Sequence, residues 1–455
     1  MEDSKNSFLQ GSVFKALIKF ALPVLGALVL QAAYGAVDVW VVKQYCSNEC
    51  VGAVGTGSNI MHMVTIVITA LSNGATVLIG QHIGEGRPDA AGRAVGTAIV
   101  LFGLLSLALT AVLEIFAEPV ARLMNMQGEA LEECVRYVRI CAAGILVITA
   151  YNVISGILRG TGNSRLPFLF VGVACLVNIA GDIILVKYLG MKTAGAAIAT
   201  VGAQGVSVII SLFVLKRSSL PIAFDKSCVR LCRPELKGIF AIGGPIAVEE
   251  FMVQISFMLV NSVANDIGPL APSAYAVAQK LISFILLVPS AMSQSVSAFT
   301  AQNIGAGKAE RAKRGLKVGI LSGVTLGVFI FAAAFFKGDV MCRLFEQGTD
   351  EEALSLLALA ADYLKGFAPD CLLTCVLFSC AGYFTGLGKS LPVMLQGITS
   401  AFLVRIPACL LFARIPERTL FYVGMATPVT TLYGIGFFAF CFWLYKKRGN
   451  KAITA

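Results

Sequence analysis

The stretch Gln-His-Ile-Gly-Glu-Gly-Arg at residues 81–87 follows a long apolar run, and Gln-Asn-Ile-Gly-Ala-Gly-Lys at residues 302–308 follows another. The two stretches share a Gln, an Ile and two Gly at equivalent positions. A second pair, Gly-Thr-Gly-Asn-Ser at 160–164 and Gly-Leu-Gly-Lys-Ser at 386–390, recurs at nearly the same offset. Several matches in the same order indicate that the chain contains a duplicated unit.

The composition around these motifs is that of a membrane protein. Of the 455 residues, 57% are hydrophobic and only 14% are charged, whereas soluble domains carry about 25% charged residues. A helix needs about 20 apolar residues to cross a bilayer. The apolar runs predict twelve spans: 16–42, 51–76, 94–117, 131–158, 164–189, 194–215, 238–264, 272–297, 315–337, 353–384, 390–413 and 419–445.

The duplication and the span count together predict an all-α polytopic fold of two six-helix lobes. Each half has an even number of spans, so the repeats are parallel and related by a pseudo-two-fold axis along the membrane normal. The longest basic connection lies between them. We therefore expect an N-lobe at 1–215, a cytoplasmic linker at 216–237 and a C-lobe at 238–455.

The net charge of +10 is explained by topology rather than by nucleic-acid binding. Of the 36 Lys and Arg residues, 23 lie in or near the connections on one side and 11 on the other. Because positive charge accumulates on the cytoplasmic side, both termini are predicted to be cytoplasmic in a multi-pass protein of the plasma (inner) membrane.

Several other functions find no support in the sequence. The Gly-rich loops lack the GxxxxGK[ST] pattern of a nucleotide site, and neither HExxH nor GxSxG is present. Most of the 13 Cys lie in apolar runs and read as small hydrophobic residues. Cys46 and Cys50 lie in one loop and could pair, but free thiols are favoured. We therefore expect no enzyme.

Ionisable residues inside spans are functional hypotheses by default, because burying a charge in a membrane is costly. Gln31, Tyr34 and Asp38 follow a three-then-four spacing in the first span and share one helix face. The functional interpretation places Asp38 in the protein interior. The alternative is a solvated position near the outer interface, to which the neighbouring Trp40 lends weight.

A second acidic position lies in the fifth span. Asn178 and Asp182 are four residues apart and share a face, and Thr200 lies in the next span. Amide, carboxylate and hydroxyl oxygens suit a proton or a small hard cation. The alternative is that these groups hold helices together. By the repeat register, Asp182 falls near Pro407, so the acidic positions belong to the N-terminal half alone.

Three further spans carry charges. Glu249 and Glu250 are adjacent in the seventh span, so at most one of them faces a given cavity. Arg405 reads as an inward structural or cavity charge. Asp370, which follows Pro369, is expected to be interfacial.

Together these features resemble the multidrug and toxic compound extrusion (MATE) family of secondary transporters, along nearly the whole chain. The segments that carry the resemblance are 31–38, 81–86, 158–162, 178–182, 195–200, 302–307 and 386–389. The resemblance implies two six-helix lobes around a central cavity. It also implies export of small organic, often cationic, compounds in exchange for Na⁺ or H⁺.

The resemblance also implies a coupling site in the N-lobe. In one branch of the family, the positions that match Asp38, Asn178, Asp182 and Thr200 bind the proton or Na⁺. The proposed substrate cavity is lined by polar side chains of both halves: Gln31, Tyr34, Asn152, Glu249, Glu250 and Arg405. Another branch couples through the C-lobe, but no Asp is predicted deep in the tenth span, which argues against such a site here. No cofactor beyond the coupling ion and no nucleic acid is expected, and the protein is expected to be a monomer.

The sequence favours a mechanism in which occupancy of the acidic pair biases a bend in the first span near Pro23. The first alternative is a lipid-linked oligosaccharide flippase of the same superfamily. An intramembrane aspartyl enzyme would require Tyr-Asp and Gly-x-Gly-Asp, which the sequence does not have around Asp38 and Asp182. A channel fits an acidic site confined to one lobe less well than a gated carrier does.

Overall fold

The computed structural model describes residues 8–218, 220–265, 267–344, 348, 350–415 and 420–448. Within these ranges the chain forms α-helices and short helical turns, and no strand. The α-helices are α1 Val13–Tyr45, α2 Asn48–Gly84, α3 Pro88–Leu123, α4 Gly128–Ala143, α5 Ile145–Gly160, α6 Arg165–Asp182, α7 Lys192–Arg217, α8 Arg233–Asn265, α9 Ala271–Ile285, α10 Leu287–Gly305, α11 Ala309–Cys342, α12 Glu351–Phe367, α13 Asp370–Gly386, α14 Leu391–Thr399, α15 Ile406–Phe412 and α16 Leu420–Lys447.

The number of spans agrees with the sequence prediction. Ten helical segments of the described chain are long and apolar enough to cross a membrane, and two bent pairs raise the number to twelve. An all-α fold follows from the apolar composition, because a backbone in lipid must satisfy its hydrogen bonds within the segment. The all-α polytopic prediction is confirmed.

Two spans are broken where the sequence predicts continuous helices. α4 and α5 meet at an angle of 54°, and α12 and α13 meet at 50°. The first break lies at Gly144 and the second at Ala368 and Pro369. These positions correspond in the repeat register, so the duplication extends to the interruption of the fourth span of each half. Glycine destabilises a helix interior and proline removes a backbone hydrogen bond, so these residues account for the two breaks.

Each half also contains a π-helical turn. One covers Ile183–Tyr188 directly after α6, and the other covers Ser400–Arg405 between α14 and α15. A π-turn widens the helix and leaves a carbonyl without its usual partner, and such turns are frequent at functional sites. Asp182 immediately precedes the first turn and Arg405 ends the second.

The chain divides into two compact units, at positions other than the predicted domain boundaries. Unit 1 is centred on Leu22–Gly244, whereas unit 2 joins the start of α1, up to Ala21, to the chain from Pro245 onward. The sequence predicts a linker between lobes at 216–237. In the structure this linker and the first part of α8 both belong to unit 1.

The start of α8 belongs to unit 1 because glycines let helix backbones approach closely. A Cβ atom on Gly74 of α2 would stand 2.5 Å from the carbonyl oxygen of Ile239. A Cβ on Gly243 would stand 2.7 Å from the Cα of Leu71. Only glycine is accommodated at such distances, and small residues at helix contacts are typical of membrane proteins.

Glycines also let the linker at 216–237 approach α3 closely. A Cβ on Gly92 would meet the carbonyl oxygen of Ala223 at 1.9 Å, and one on Gly96 would meet that of Cys228 at 1.8 Å. Thr97 lies one residue further along. Its hydroxyl donates to the carbonyl of Arg230 and accepts from the backbone N–H of Cys232, both at 3.2 Å. These contacts hold the part of the linker around 223–232 against α3.

An ion-pair network joins the end of α2 to the start of α8 within unit 1. His82 Nε2 lies 3.0 Å from Glu235 Oε2, and His82 Nδ1 lies 3.3 Å from Glu85 Oε2. Arg93 contributes a further contact of 3.6 Å to Glu235, whose side chain is only 7% exposed. No local pattern singles out His82, because its partner Glu235 lies 153 residues away along the chain.

Candidate functional site

The candidate coupling site in unit 1 is formed by three helices. Asp38 lies on α1, Asn178 and Asp182 lie on α6, and Thr200 lies on α7. All three acidic and amide side chains are buried, and Asp182 is fully inaccessible. The structure therefore brings together the four residues predicted to bind the coupling ion, and the interfacial alternative for Asp38 does not describe its environment.

Hydrogen bonds connect these side chains through Thr200. Its hydroxyl lies 3.2 Å from Asp38 Oδ2, and Asn178 Nδ2 donates to Thr200 Oγ1 at 3.4 Å. The Thr200 hydroxyl also lies 3.0 Å from the carbonyl oxygen of Ala196. One hydroxyl thus links the α1 carboxylate, the α6 amide and the α7 backbone.

The carboxyl groups of Asp38 and Asp182 adjoin each other. Asp38 Oδ1, Asn178 Oδ1 and both carboxyl oxygens of Asp182 are buried without a hydrogen-bond donor. Two ionised carboxylates carry like charges, so they repel each other in a buried site, and since both can only accept hydrogen bonds neither satisfies the other. A shared proton or a small cation between them would relieve the repulsion and satisfy the unpaired oxygens.

Local sequence explains how α6 and α7 approach at this point. A Cβ on Gly181 would stand 3.0 Å from the Cβ of Ala199, so glycine lets the helices pack beside Asp182 and Thr200. The π-turn begins directly after Asp182. Glycine and the π-turn therefore position the carboxylate at the point where α6 departs from regular geometry.

The oxygen-rich set differs from a transition-metal site. The described residues contain no group of three or more His, Cys, Asp or Glu side chains that could hold a metal ion. The candidate site instead combines two carboxylates with an amide and a hydroxyl. Such a set of hard oxygen donors fits Na⁺ or a proton.

The three cavity candidates of unit 1 have different environments. Tyr34 is half-buried and its hydroxyl interacts with the side chain of Gln204 on α7. Asn152 uses its Nδ2 to donate 2.8 Å to the Ile148 carbonyl of its own helix. Gln31 is half-buried. None of these side chains bonds directly to the acidic pair.

Gln204 is a polar residue near the site that the sequence analysis did not single out. It is 8% exposed, and its Oε1 is buried without a partner. The signal was present in the spacing, because Thr200, Gln204, Ser207 and Ser211 fall on one face of α7 and the last three are buried. A polar helix face in an apolar span points into the protein.

In unit 2, the adjacent glutamates point in different directions. The Cγ of Glu249 occupies the space that a Cβ on Gly397 of α14 would need, at 2.4 Å. The side chain of Glu250 is exposed at the surface of α8. Since neighbouring residues on a helix face apart, only Glu249 packs within unit 2.

Arg405 lies in a polar cluster of unit 2. Its Nη1 donates 2.9 Å to the Ser256 hydroxyl, and its guanidinium lies 4.2 Å from the ring centroid of Phe257. It also lies close enough to Asp370 for the opposite charges to attract. The prediction of an inward charge at Arg405 agrees with this position.

The prediction that Asp370 is interfacial is wrong. Asp370 is 2% exposed and accepts a hydrogen bond from the hydroxyl of Thr374. The sequence predicts an interfacial position because Pro369 precedes this residue. In the structure Pro369 belongs to the break between α12 and α13, so Asp370 lies in the middle of a bent span and not at its end.

Comparison with known proteins supports the fold and identifies the family. The chain matches the MatE family at residues 23–184 and 245–411. It is 27% identical over 410 residues to the Bacillus subtilis probable multidrug resistance protein YpnP, covering 89% of this chain and 90% of that protein. It is 24% identical over 426 residues to the Thermotoga maritima probable multidrug resistance protein NorM, covering 91% and 89%.

Solved structures show the same architecture. An outward-facing multidrug resistance MATE family transporter of the MOP superfamily superposes with a TM-score of 0.91 at 20% identity, covering 99% of both chains. At this identity the likeness establishes the fold. Because the family match covers most of the chain in two repeats, this multi-pass membrane protein belongs to the MatE family of transporters and is not an enzyme.

Proposed function

We propose that this chain exports small organic compounds, cationic and drug-like, in exchange for Na⁺ or H⁺ that binds at Asp38, Asn178, Asp182 and Thr200. The adjoining buried carboxylates of Asp38 and Asp182 are the observation that carries this proposal. The names of YpnP and NorM, both probable multidrug resistance proteins, support the substrate class. The same names give no support to a flippase.

The mechanism follows from the charge of the pair. With both carboxylates ionised, the site carries two negative charges and attracts a cation. Binding of a proton or Na⁺ removes part of this charge and the repulsion with it, so the two forms of unit 1 differ in energy. Moving one charge through 100 mV supplies about 2.3 kcal/mol, which is sufficient to bias a two-state transporter.

Alternating access then requires that the occupied and empty forms favour different openings to the two sides. We assign the protein to the plasma membrane with both termini in the cytoplasm, as the distribution of Lys and Arg predicts. The transporter acts as a monomer in this scheme. Because each coupling residue lies in unit 1, one lobe is sufficient to bind the driving ion.

The test is efflux of a fluorescent organic cation from proteoliposomes under an imposed Na⁺ gradient or an imposed pH gradient, each alone. We expect one gradient to drive efflux by the wild type and neither to drive it by Asp38→Asn. Asp339→Asn is the matched control, since Asp339 is exposed on α11. Full efflux by Asp38→Asn would contradict the proposal, and the effective gradient identifies the ion.

A further inference from the structure

Unit 1 contains a cavity of about 600 Å³ between α3, α5, α7 and the linker. Its volume lies within the range of about 300–1,000 Å³ that small-molecule sites occupy. Apolar side chains form the walls, among them Phe102, Ile154 and Leu212. The cavity is separate from the coupling site, because it includes neither acidic residue nor Thr200.

The linker closes one side of this cavity. Leu220, Ile222 and Phe224 contribute to the lining. Each belongs to the linker, which packs closely against α3 at Gly92 and Gly96. One wall of the cavity is therefore formed by a linker segment that α3 holds in place. An apolar wall supplied by a connection outside the spans is unusual, because connections are normally polar. A ligand with an apolar body accounts for such a wall.

Polar groups occur at few positions of the lining. Lys216, at the end of α7, is exposed and is the one charged residue among the described lining residues. The other polar lining residues are Ser218, beside Lys216, and Thr149, whose hydroxyl is buried and inaccessible from the cavity. An occupant with a long apolar portion and a negatively charged group near the end of α7 would match this lining.

We infer that the cavity binds one anionic phospholipid, with an acyl chain between α3, α5 and α7 and the phosphate at Lys216. The linker belongs to the predicted cytoplasmic side, where anionic lipids are concentrated and basic pockets between spans bind their headgroups. The positive charge of Lys216 would repel a cationic drug. The inference requires that the protein lies in a membrane with the linker on the cytoplasmic side, and it does not depend on the coupling ion or the exported substrate.

The experiment measures lipid binding to the purified full chain in detergent. Phosphatidylglycerol and phosphatidylcholine with identical acyl chains are titrated separately, and native mass spectrometry counts the lipid molecules retained. We expect one phosphatidylglycerol to bind at least tenfold more tightly than phosphatidylcholine. Equal affinity for the two lipids would overturn the assignment of the phosphate to Lys216.

Two pairs of variants test the location. Lys216→Gln is expected to weaken phosphatidylglycerol binding at least tenfold, whereas Lys226→Gln, in the same linker but outside the cavity, is expected to have no effect. Gly103 lines the cavity and has open space where a Cβ would lie, so Gly103→Phe should fill it and remove the lipid.

Gly436→Phe is the control for added bulk, because Gly436 also has open space around a Cβ and lies in unit 2. Thermal melting of each variant without added lipid establishes that it is folded. Undiminished phosphatidylglycerol binding by folded Gly103→Phe, or by Lys216→Gln, would overturn the inference.

Discussion

The hydroxyl of Thr200 lies 3.2 Å from Oδ2 of Asp38, a residue 162 positions earlier in the chain. This contact joins α1 to α7 at the candidate coupling site. The same hydroxyl accepts from Asn178 and approaches the Ala196 carbonyl. Thr200 therefore orients the side chains around the acidic pair rather than supplying charge to it.

Thr200→Val tests this role, because it keeps the side-chain shape and removes the hydroxyl. A hydrogen bond to a charged group is worth about 1.5–3 kcal/mol, so the apparent affinity for the driving ion should fall about 10- to 100-fold. Thr200→Ser should retain most of it. Ion-dependent efflux at varied ion concentration measures the effect, and wild-type behaviour of Thr200→Val would exclude an orienting role.

Asp182→Asn should separate stability from coupling. The substitution removes one of two adjoining buried charges and adds a donor for the unpaired Asp38 Oδ1. Satisfying a buried acceptor contributes about 1–3 kcal/mol, so the melting temperature should rise by several degrees. Ion-driven efflux should be lost. Thermal melting and proteoliposome transport measure the two effects, and a lower melting temperature would speak against charge repulsion at this pair.

His82→Ala should destabilise unit 1 through Glu235. The substitution removes a 3.0 Å partner from a carboxylate that is largely buried, leaving Arg93 at 3.6 Å. Leaving such a group without its main partner costs about 1–3 kcal/mol. Arg122→Ala, which breaks the exposed Arg122–Glu118 pair, should cost about 0.3–0.5 kcal/mol. Chemical denaturation compares the two, and equal effects would show that the network is only a surface pair.

Gly96→Ala should detach the linker from α3. The new Cβ would stand 1.8 Å from the carbonyl oxygen of Cys228, so one of the two backbones must move. Gly103→Ala, on the same helix, meets open space and should stabilise the helix by about 0.5–1 kcal/mol. Tryptic cleavage after Lys226 and Arg230 in purified protein is expected to be at least tenfold faster for Gly96→Ala only. Equal cleavage rates for all variants would mean that the linker is not held against α3 in the wild-type protein.

Arg405→Met should leave Asp370 buried without its attractive partner. The two groups make no direct ion pair, so the loss should be smaller than the cost of about 3–5 kcal/mol for a contacting buried pair. The double variant Arg405→Met with Asp370→Asn should recover most of this loss, because no charge is then left unpaired. Chemical denaturation of both single variants and the double variant gives the interaction free energy between the two side chains. Strictly additive effects would show that the two charges do not interact.

Much of the candidate site could be predicted from spacing along the helices. Asn178 and Asp182 share a face because four residues make nearly one turn, and an apolar span turns its polar face inward. Gln204 was available from the same argument, since it follows Thr200 by four residues. Sequence spacing could not predict that Thr200 orients Asp38, because that contact depends on how α1 and α7 pack.

The sequence by itself determined the membrane class, the twelve spans and the duplication, because run length and repeated motifs are local properties of the chain. It also determined which residues share a helix face. Tertiary structure decided the environment of Asp370, the partner of His82 and the position of the linker on α3. Each of these depends on a contact between distant residues or on a bend within a span, and no local pattern records either.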